Sequence, residues 1–134
     1  MSLAKEVTGN LPSPFSNFTT LQQLFALKGL NVKDFVALSG AHTIGAAHCD
    51  AFGQSTGNND VDPSLDSTYA QTLRSKCNTN PPDPTTTVDM DSDSSINFDS
   101  DYFLILTQNK GLFQSDAALL TNSASANFVK LFQR

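Results

Sequence analysis

Apolar side chains recur at helical spacing over most of this sequence. In residues 19–28, Leu21, Leu24 and Phe25 fall on one face of a helix, and Gly29 follows as a helix stop. The same period of about 3.6 residues predicts further helices over 32–38, 41–52, 63–76, 101–109, 115–120 and 123–133. Helices thus account for most of the regular structure that the pattern predicts.

Stretches rich in glycine, proline and small polar residues separate the predicted helices. Asp62 and Pro63 are typical of an N-cap and a first helical position, so we expect the helix that ends near Lys76 to begin there. Residues 35–38 also fit a strand by pattern, but no pair of strands with a hairpin turn stands out. The predicted fold class is all-α, an irregular helical bundle with long loops. Three segments are predicted as loop or extended chain: 53–60, 77–87 and 89–99.

Composition and charge exclude several classes of partner. A chain of 134 residues with 39% hydrophobic content suits one domain with its own core. The net charge is −5 and the only arginines are Arg74 and Arg134, which argues against nucleic acid and against anionic membrane surfaces. No apolar run approaches the roughly 20 residues of a membrane span. The first ten residues show no secretory signal of basic and then apolar residues.

His42, His48, Cys49 and Cys77 together offer the ligand types of a zinc site. On one continuous helix, however, His42 and Cys49 would lie about 10 Å apart along the axis, and His48 and Cys49 would point about 100° apart. One ion could not gather all four. A cysteine nucleophile with a histidine base is supported only by the adjacency of His48 and Cys49. The cysteine count permits either one disulfide or two reduced thiols.

One of these histidines stands within a long and specific pattern. Residues 34–45 read DFVALSGAHTIG and closely resemble the proximal haem-ligand signature of the plant secretory (class III) haem peroxidases. Further matches follow in the family's order: NLPSPF at 10–15, DPSL at 62–65, NFDSDYF at 97–103 and GLFQSD at 111–116. The resemblance covers almost the whole chain. It implies the proximal half of a plant-type haem peroxidase fold, with residues 1–134 as a partial domain that lacks the distal half.

The resemblance implies a role for two residues in haem chemistry. The histidine of the S-G-A-H-T motif is the axial ligand of haem iron in the family, and this role falls on His42. The aspartate of the S-D motif accepts a hydrogen bond from the other ring nitrogen, and this catalytic support falls on Asp116. A carboxylate there makes the imidazole more electron-rich, which stabilises high-valent iron. By its position alone, Asp116 also fits a charge at a helix N-terminus.

The resemblance extends to the substrate edge and to the cysteines. Pro12 matches the first proline of the family's L-P-x-P segment, which lies at the exposed haem edge where small aromatic donors bind. As a plain pattern, Pro-x-Pro is a stiff linker. Cys49 and Cys77 match a disulfide-bonded pair, so the resemblance implies a disulfide and a secreted or vacuolar location.

The acidic segment 89–99 fails as an EF-hand, because the glycine position counted from Asp89 holds Ser94. A solvated acidic loop is the simplest interpretation. The family, however, places a structural calcium here, and hard oxygen ligands suit Ca²⁺. The implied ligands are Thr43, Asp91, Ser94, the backbone carbonyl of Asn97, and Asp99.

Two features depart from the family. The R-x-x-F-H-D-C-type motif of the distal histidine and arginine is absent, and the family's R-L-[YF]-N-F stretch is missing after Phe52. The resemblance implies a peroxidase with haem b and calcium that reduces hydrogen peroxide and oxidises phenolic donors. This chain would supply the axial-histidine half, inactive or weakly active without the distal half. The alternative is a non-catalytic haem- and calcium-binding remnant or a truncated gene product.

Overall fold

The computed structural model describes residues 7, 9–52, 61–79, 81–92 and 94–134. The described part is mostly helical, which confirms the predicted fold class. Its helices are α1 (Phe18–Leu27), α2 (Val32–Ser39), α3 (Ser67–Lys76), α4 (Asp101–Thr107), α5 (Gln114–Ala118) and α6 (Ser123–Phe132). Two 3-10 helices and two strands complete it: Gly40–Thr43, Cys49–Ala51, β1 (Ala46–His48) and β2 (Thr87–Asp89). The loop predicted over 53–60 lies outside the described residues.

Side-chain caps explain where the helices near the site begin. Asn17 caps α1 by accepting a hydrogen bond from the Thr20 N–H at 2.9 Å. Asn31 and Asp34 cap α2 reciprocally, each side chain accepting from the other's backbone N–H. Gly29, with a φ of 76°, ends α1 in the left-handed conformation that glycine tolerates best, as predicted. The predicted helices 19–28 and 32–38 are therefore confirmed to within a residue or two, and residues 35–38 are helical rather than extended.

The prediction of one helix over 41–52 is wrong. After the 3-10 helix Gly40–Thr43, Gly45 adopts a φ of 93° and the chain continues as β1. β1 pairs antiparallel with β2, with Ala47 opposite Val88. The Gly45 N–H donates to the Ser95 carbonyl at 2.9 Å, a bond across the fold that replaces a helical one. β1 and β2 are not joined by a hairpin turn, and neither strand was predicted from the pattern.

The predicted start of the third helix is also wrong. Asp62 caps a turn instead, accepting from the Ser64 N–H at 2.8 Å. The helix begins at Ser67 because Asp66 is its N-cap. The Asp66 N–H donates to the Asn109 carbonyl at 2.8 Å, which ties the start of α3 to the end of α4.

Two apolar clusters form the interior of the described part. α2 and α4 both pack on α6, and their shared cluster, here called the helical core, lies beneath the 3-10 helix Gly40–Thr43. The helical core contains Phe18, Leu21, Phe35, Val36, Tyr102, Phe103, Leu106, Ala118, Leu119 and Val129. The second cluster, the disulfide core, contains Ala47, Cys49, Phe52, Val61, Leu65, Ala70, Leu73, Cys77, Val88, Met90 and Leu112. No helix among the described residues is long and apolar enough to cross a membrane.

Candidate functional site

His42 and Asp116 meet at the boundary between the helical core and solvent. His42 lies in the 3-10 helix after α2, and Asp116 lies in the first turn of α5. His42 Nδ1 is 2.7 Å from Asp116 Oδ1, and the carboxylate is almost completely buried while 38% of the imidazole side chain is exposed. The bond leaves Nε2 as the ring nitrogen free to meet a ligand from outside.

Asp116 is held by two further donors. The Tyr102 hydroxyl donates to Oδ1 at 2.9 Å, and the Phe113 N–H donates to Oδ2 at 2.9 Å. Gly111 makes room for this arrangement, because a Cβ there would lie 2.8 Å from the Asp116 Cβ. A buried carboxylate that accepts several hydrogen bonds is fixed in position.

Aromatic rings set the plane of the imidazole. The rings of Phe113 and Tyr102 contact His42 edge-on, with centroids 5.3 Å and 5.9 Å from its centroid. Such T-shaped contacts are a preferred geometry for aromatic pairs. The orientation of His42 is thus determined by one hydrogen bond and two rings.

Burial and the carboxylate act in opposite directions on His42. Burial by itself would lower the pKa of His42, because it penalises the charged imidazolium. The hydrogen bond and the negative charge of Asp116 outweigh burial and raise the pKa above its ordinary value of 6.5. Burial is the largest of the causes that raise the pKa of Tyr102 well above its ordinary value, and the charge and hydrogen bond of Asp116 raise it further. Tyr102 therefore remains a protonated donor at any physiological pH.

His42 lines an open cleft of about 260 Å³. The wall is mostly apolar, and His42 supplies the imidazole at its base. A flat, largely apolar macrocycle with one coordination position fits this combination of a hydrophobic wall and a single nitrogen ligand. The apolar lining residues are Pro12, Pro14, Leu21, Phe25, Phe35, Leu38 and Phe113.

The segment that contains Pro12 forms one rim of this cleft. Pro12 is exposed, and the Pro14 carbonyl accepts a hydrogen bond from the Ser115 N–H at 2.9 Å. This bond fixes the proline segment beside the residue that precedes Asp116. Pro12 is therefore placed at the mouth of the cleft that His42 lines.

The five residues that the resemblance implies as calcium ligands are only partly joined by hydrogen bonds. The Thr43 hydroxyl donates to Asp99 Oδ1 at 2.9 Å, and the Ser94 N–H donates to Asp91 Oδ1 at 3.4 Å. Thr43 and Asp91 are completely buried. The Asn97 N–H donates to the Ser94 carbonyl at 2.8 Å, which closes a turn between the two aspartates. Hydrogen bonds to its carboxylate hold the pKa of Asp99 below its ordinary value. The largest effect comes from the Asp101 N–H, and the Thr43 hydroxyl adds to it.

The chemistry of this group suits a hard cation. No three His, Cys, Asp or Glu side chains cluster as metal ligands in the part of the chain that the structure describes. A cation here would therefore need hydroxyl and carbonyl oxygens beside the carboxylates, which is the donor set that Ca²⁺ accepts. The fully buried carboxylate of Asp91 and the buried hydroxyl of Thr43 are both consistent with such an ion.

The cysteines resolve the other metal and nucleophile hypotheses. Cys49 and Cys77 form a disulfide with Cα atoms 5.7 Å apart, as the resemblance implied. Neither sulfur is a free thiol, so the zinc and cysteine-nucleophile hypotheses are wrong. His48 is exposed on β1 and is not brought to the cleft that His42 lines.

Two contributors to the site were not identified as such from the sequence. Tyr102 was noted only as part of the NFDSDYF match, and Gly111 only as part of the GLFQSD match. The buried hydroxyl of Tyr102 and the steric demand at Gly111 depend on contacts between α4 and α5. The one available signal was that Tyr102 and Phe103 shortly precede the GLFQSD motif in the sequence.

Comparison with known proteins identifies the family of the chain. The family model described as peroxidase matches residues 1–134. The chain is 51% identical to Peroxidase 24 of Arabidopsis thaliana over 139 aligned residues. The alignment covers 99% of the chain and 40% of that relative. It is 50% identical to Peroxidase 39 and 52% identical to Peroxidase 27 of the same plant, over 95% and 90% of the chain. The chain thus spans about 40% of the length of these relatives. With a family model that matches throughout and relatives about half identical, the chain belongs to the peroxidase family.

Proposed function

We propose that this chain forms the proximal face of a haem b site in a plant class III peroxidase. Residues 1–134 would be the proximal part of the peroxidase domain, and His42 would hold the iron through Nε2. The observation that carries the proposal is the 2.7 Å bond between His42 Nδ1 and a buried carboxylate at the base of an apolar cleft. Membership of the peroxidase family supports the same reading.

Asp116 would act on the iron ligand from behind. Its carboxylate retains the proton on His42 Nδ1, so that Nε2 carries the lone pair that a metal requires. Partial transfer of that proton makes the imidazole a stronger donor. The haem, when bound, supplies the redox-active iron at which peroxide is reduced. A more electron-rich imidazole at His42 would favour the higher oxidation states of that iron.

The walls of the cleft would orient the flat ring and limit the access of water. The rings of Phe25 and Phe35 pack in a tilted arrangement with centroids 4.6 Å apart, and both line the cleft. Pro12 and Pro14 line the same cleft. A small phenolic donor would approach the edge of the haem over the rim that the proline segment forms, where Pro12 is exposed.

A calcium ion would hold the residue next to the iron ligand. The proposed ligands are the buried Thr43 and Asp91, with Ser94, the Asn97 carbonyl and Asp99 around them. Thr43 directly follows His42, so an ion bound there restrains the peptide that carries the imidazole. The Gly45–Ser95 backbone bond already joins the same two segments.

The reaction of the whole enzyme is part of the proposal. The chain would belong to an enzyme that reduces hydrogen peroxide and oxidises phenolic donors, in a secreted or vacuolar setting. The disulfide supports an oxidising compartment. A second candidate is haem binding without turnover. It is favoured by the absence from these residues of a R-x-x-F-H-D-C-type motif, whose histidine and arginine would move the peroxide protons.

Turnover of a phenolic donor separates the two candidates. The chain is loaded with hemin, and donor oxidation is followed after addition of peroxide, beside free hemin and beside His42→Ala. A rate above free hemin that His42→Ala abolishes supports a peroxidase site. One bound haem with a rate equal to that of free hemin supports binding without turnover. Equal behaviour of the wild type and His42→Ala contradicts both candidates.

A further inference from the structure

Two donors meet at a single oxygen of Asp116. His42 Nδ1 lies 2.7 Å from Oδ1, and the Tyr102 hydroxyl lies 2.9 Å from the same atom. The other oxygen, Oδ2, is occupied by the Phe113 N–H at 2.9 Å. The carboxylate therefore does not direct its charge at His42 alone.

The position of Tyr102 is fixed by its surroundings. Its side chain is 1% exposed, it belongs to the helical core, and its ring packs edge-on against Phe103 with centroids 5.2 Å apart. The ring also contacts His42. A hydroxyl on so confined a ring has little freedom to find another acceptor, so its bond to Asp116 is part of the folded state.

We propose that Tyr102 is a positioning residue that limits the negative charge which Asp116 shares with His42. It thereby sets how electron-rich the imidazole is at Nε2. The consequence at the iron rests on the proposed function, whereas the effect on the hydrogen bond between His42 and Asp116 does not.

The direction of the effect follows from elementary electrostatics. A donor to a carboxylate stabilises its negative charge and draws electron density toward itself. With Tyr102 bonded to Oδ1, the proton shared by His42 and Asp116 remains nearer to Nδ1. Without the Tyr102 hydroxyl, Oδ1 attracts that proton more strongly, and the imidazole gains imidazolate character.

The chain offers a matched control, because it contains only two tyrosines. Tyr102→Phe removes the hydroxyl and retains the ring in the helical core. Tyr69→Phe makes the same chemical change at a tyrosine that packs against the disulfide core. A difference between the two variants therefore reports on the bond to Asp116 rather than on the loss of a hydroxyl in general.

The first measurement uses the haem-free chain labelled with ¹⁵N-histidine. The resonance of the proton on His42 Nδ1 should move downfield in Tyr102→Phe and remain in place in Tyr69→Phe, with His48 as the internal reference. A His42 resonance that is the same in Tyr102→Phe as in the wild type overturns the inference. This measurement is independent of haem binding.

The second measurement uses the hemin-loaded chain. The Fe(III)/Fe(II) midpoint potential should move to more negative values in Tyr102→Phe and stay at the wild-type value in Tyr69→Phe. A shifted proton resonance with an unshifted potential overturns the role at the iron. If the proton resonance shifts but no variant, nor the wild type, binds hemin, the proposed function fails and the effect of Tyr102 on His42 stands.

A second variant covers the case in which Tyr102→Phe does not fold. Incorporation of 3-fluorotyrosine at position 102 keeps the hydroxyl and nearly the same volume but makes it a stronger donor. The His42 proton should then move upfield and the potential should rise, opposite to the effects of removing the hydroxyl. A shift in the same direction as that of Tyr102→Phe, or no shift, contradicts the proposal.

Discussion

His42 Nδ1 and Asp116 Oδ1 lie 2.7 Å apart although 74 positions separate the two residues in the sequence. The bond joins the 3-10 helix after α2 to the first turn of α5. The 3-10 helix contacts α2 and α4, and α5 contributes Ala118 to the helical core. Packing that is remote from the cleft therefore controls the direction in which the imidazole faces. This relationship makes the site sensitive to changes that never touch a ligand.

Asp116→Asn should destabilise the haem-free chain and change how its stability depends on pH. The raised pKa of His42 stabilises the folded state fully below 6.5, and this contribution is lost as pH rises through the raised value. Asparagine removes the charge, and its amide N–H₂ must face a donor, either the Phe113 N–H or the donors at Oδ1. Two donors that face each other cost about 1–3 kcal/mol. Urea unfolding at several pH values measures both effects. An unchanged pH dependence in Asp116→Asn contradicts the assigned electrostatics.

Calcium should stabilise the chain through Asp91. At a hundredfold excess over its Kd, a ligand that binds only the folded state adds about 2.7 kcal/mol to the free energy of unfolding. Thermal unfolding with Ca²⁺ and with EDTA should show this gain in the wild type and lose it in Asp91→Asn. Asp50→Asn, an exposed aspartate in the 3-10 helix Cys49–Ala51, is the control and should respond like the wild type. An equal response of the two variants to Ca²⁺ would place the ion elsewhere.

Gly111→Ala should damage the site by steric conflict. A Cβ at this position would lie 2.6 Å from Leu106 Cδ2 and 2.8 Å from the Asp116 Cβ. Such overpacking typically costs about 1–3 kcal/mol, and it should also displace Asp116 from His42. Gly29→Ala is the control, because its added Cβ meets nothing within 4 Å and its cost arises only from a φ of 76°. We expect the His42 proton resonance to move in Gly111→Ala and not in Gly29→Ala.

Loss of the disulfide should destabilise the chain without abolishing the contact between His42 and Asp116. The bridge joins residues 28 positions apart, and the chain-entropy relation gives about 3–4 kcal/mol for a loop of this length. Cys49→Ser with Cys77→Ser should lower the midpoint of urea unfolding accordingly. A double variant as stable as the wild type would show that the bridge constrains little in the unfolded chain.

The helical pattern was predictable where the determinants are local. α1 and α2 follow from apolar spacing and from a glycine stop, both of which act within a few residues. The strand pair was not predictable, because β1 and β2 have three residues each and are stabilised by partners about 40 positions away. The start of α3 was predicted wrongly because Asp62 and Asp66 both fit an N-cap by pattern. Only Asp66 caps the helix, and its own N–H donates to the remote Asn109 carbonyl.

The site required more than the local pattern. Nothing in the spacing of His42 and Asp116 indicates their contact, and the pairing was expected only through the family resemblance. The structure adds the third member, Tyr102, whose position in α4 predicted burial but not a hydrogen bond. A buried hydroxyl reveals its role only when the acceptor opposite it is known.

A hemin titration of the wild type, His42→Ala and His48→Ala, followed by visible absorbance, tests whether His42 is the iron ligand. His48 is the matched control, because it is the only other histidine and is exposed on β1. We expect the wild type and His48→Ala to bind one haem, with the spectrum of a histidine-ligated iron, and His42→Ala to lose that spectrum. Binding that survives in His42→Ala, or that is lost in His48→Ala instead, would contradict the assignment of His42 as the iron ligand.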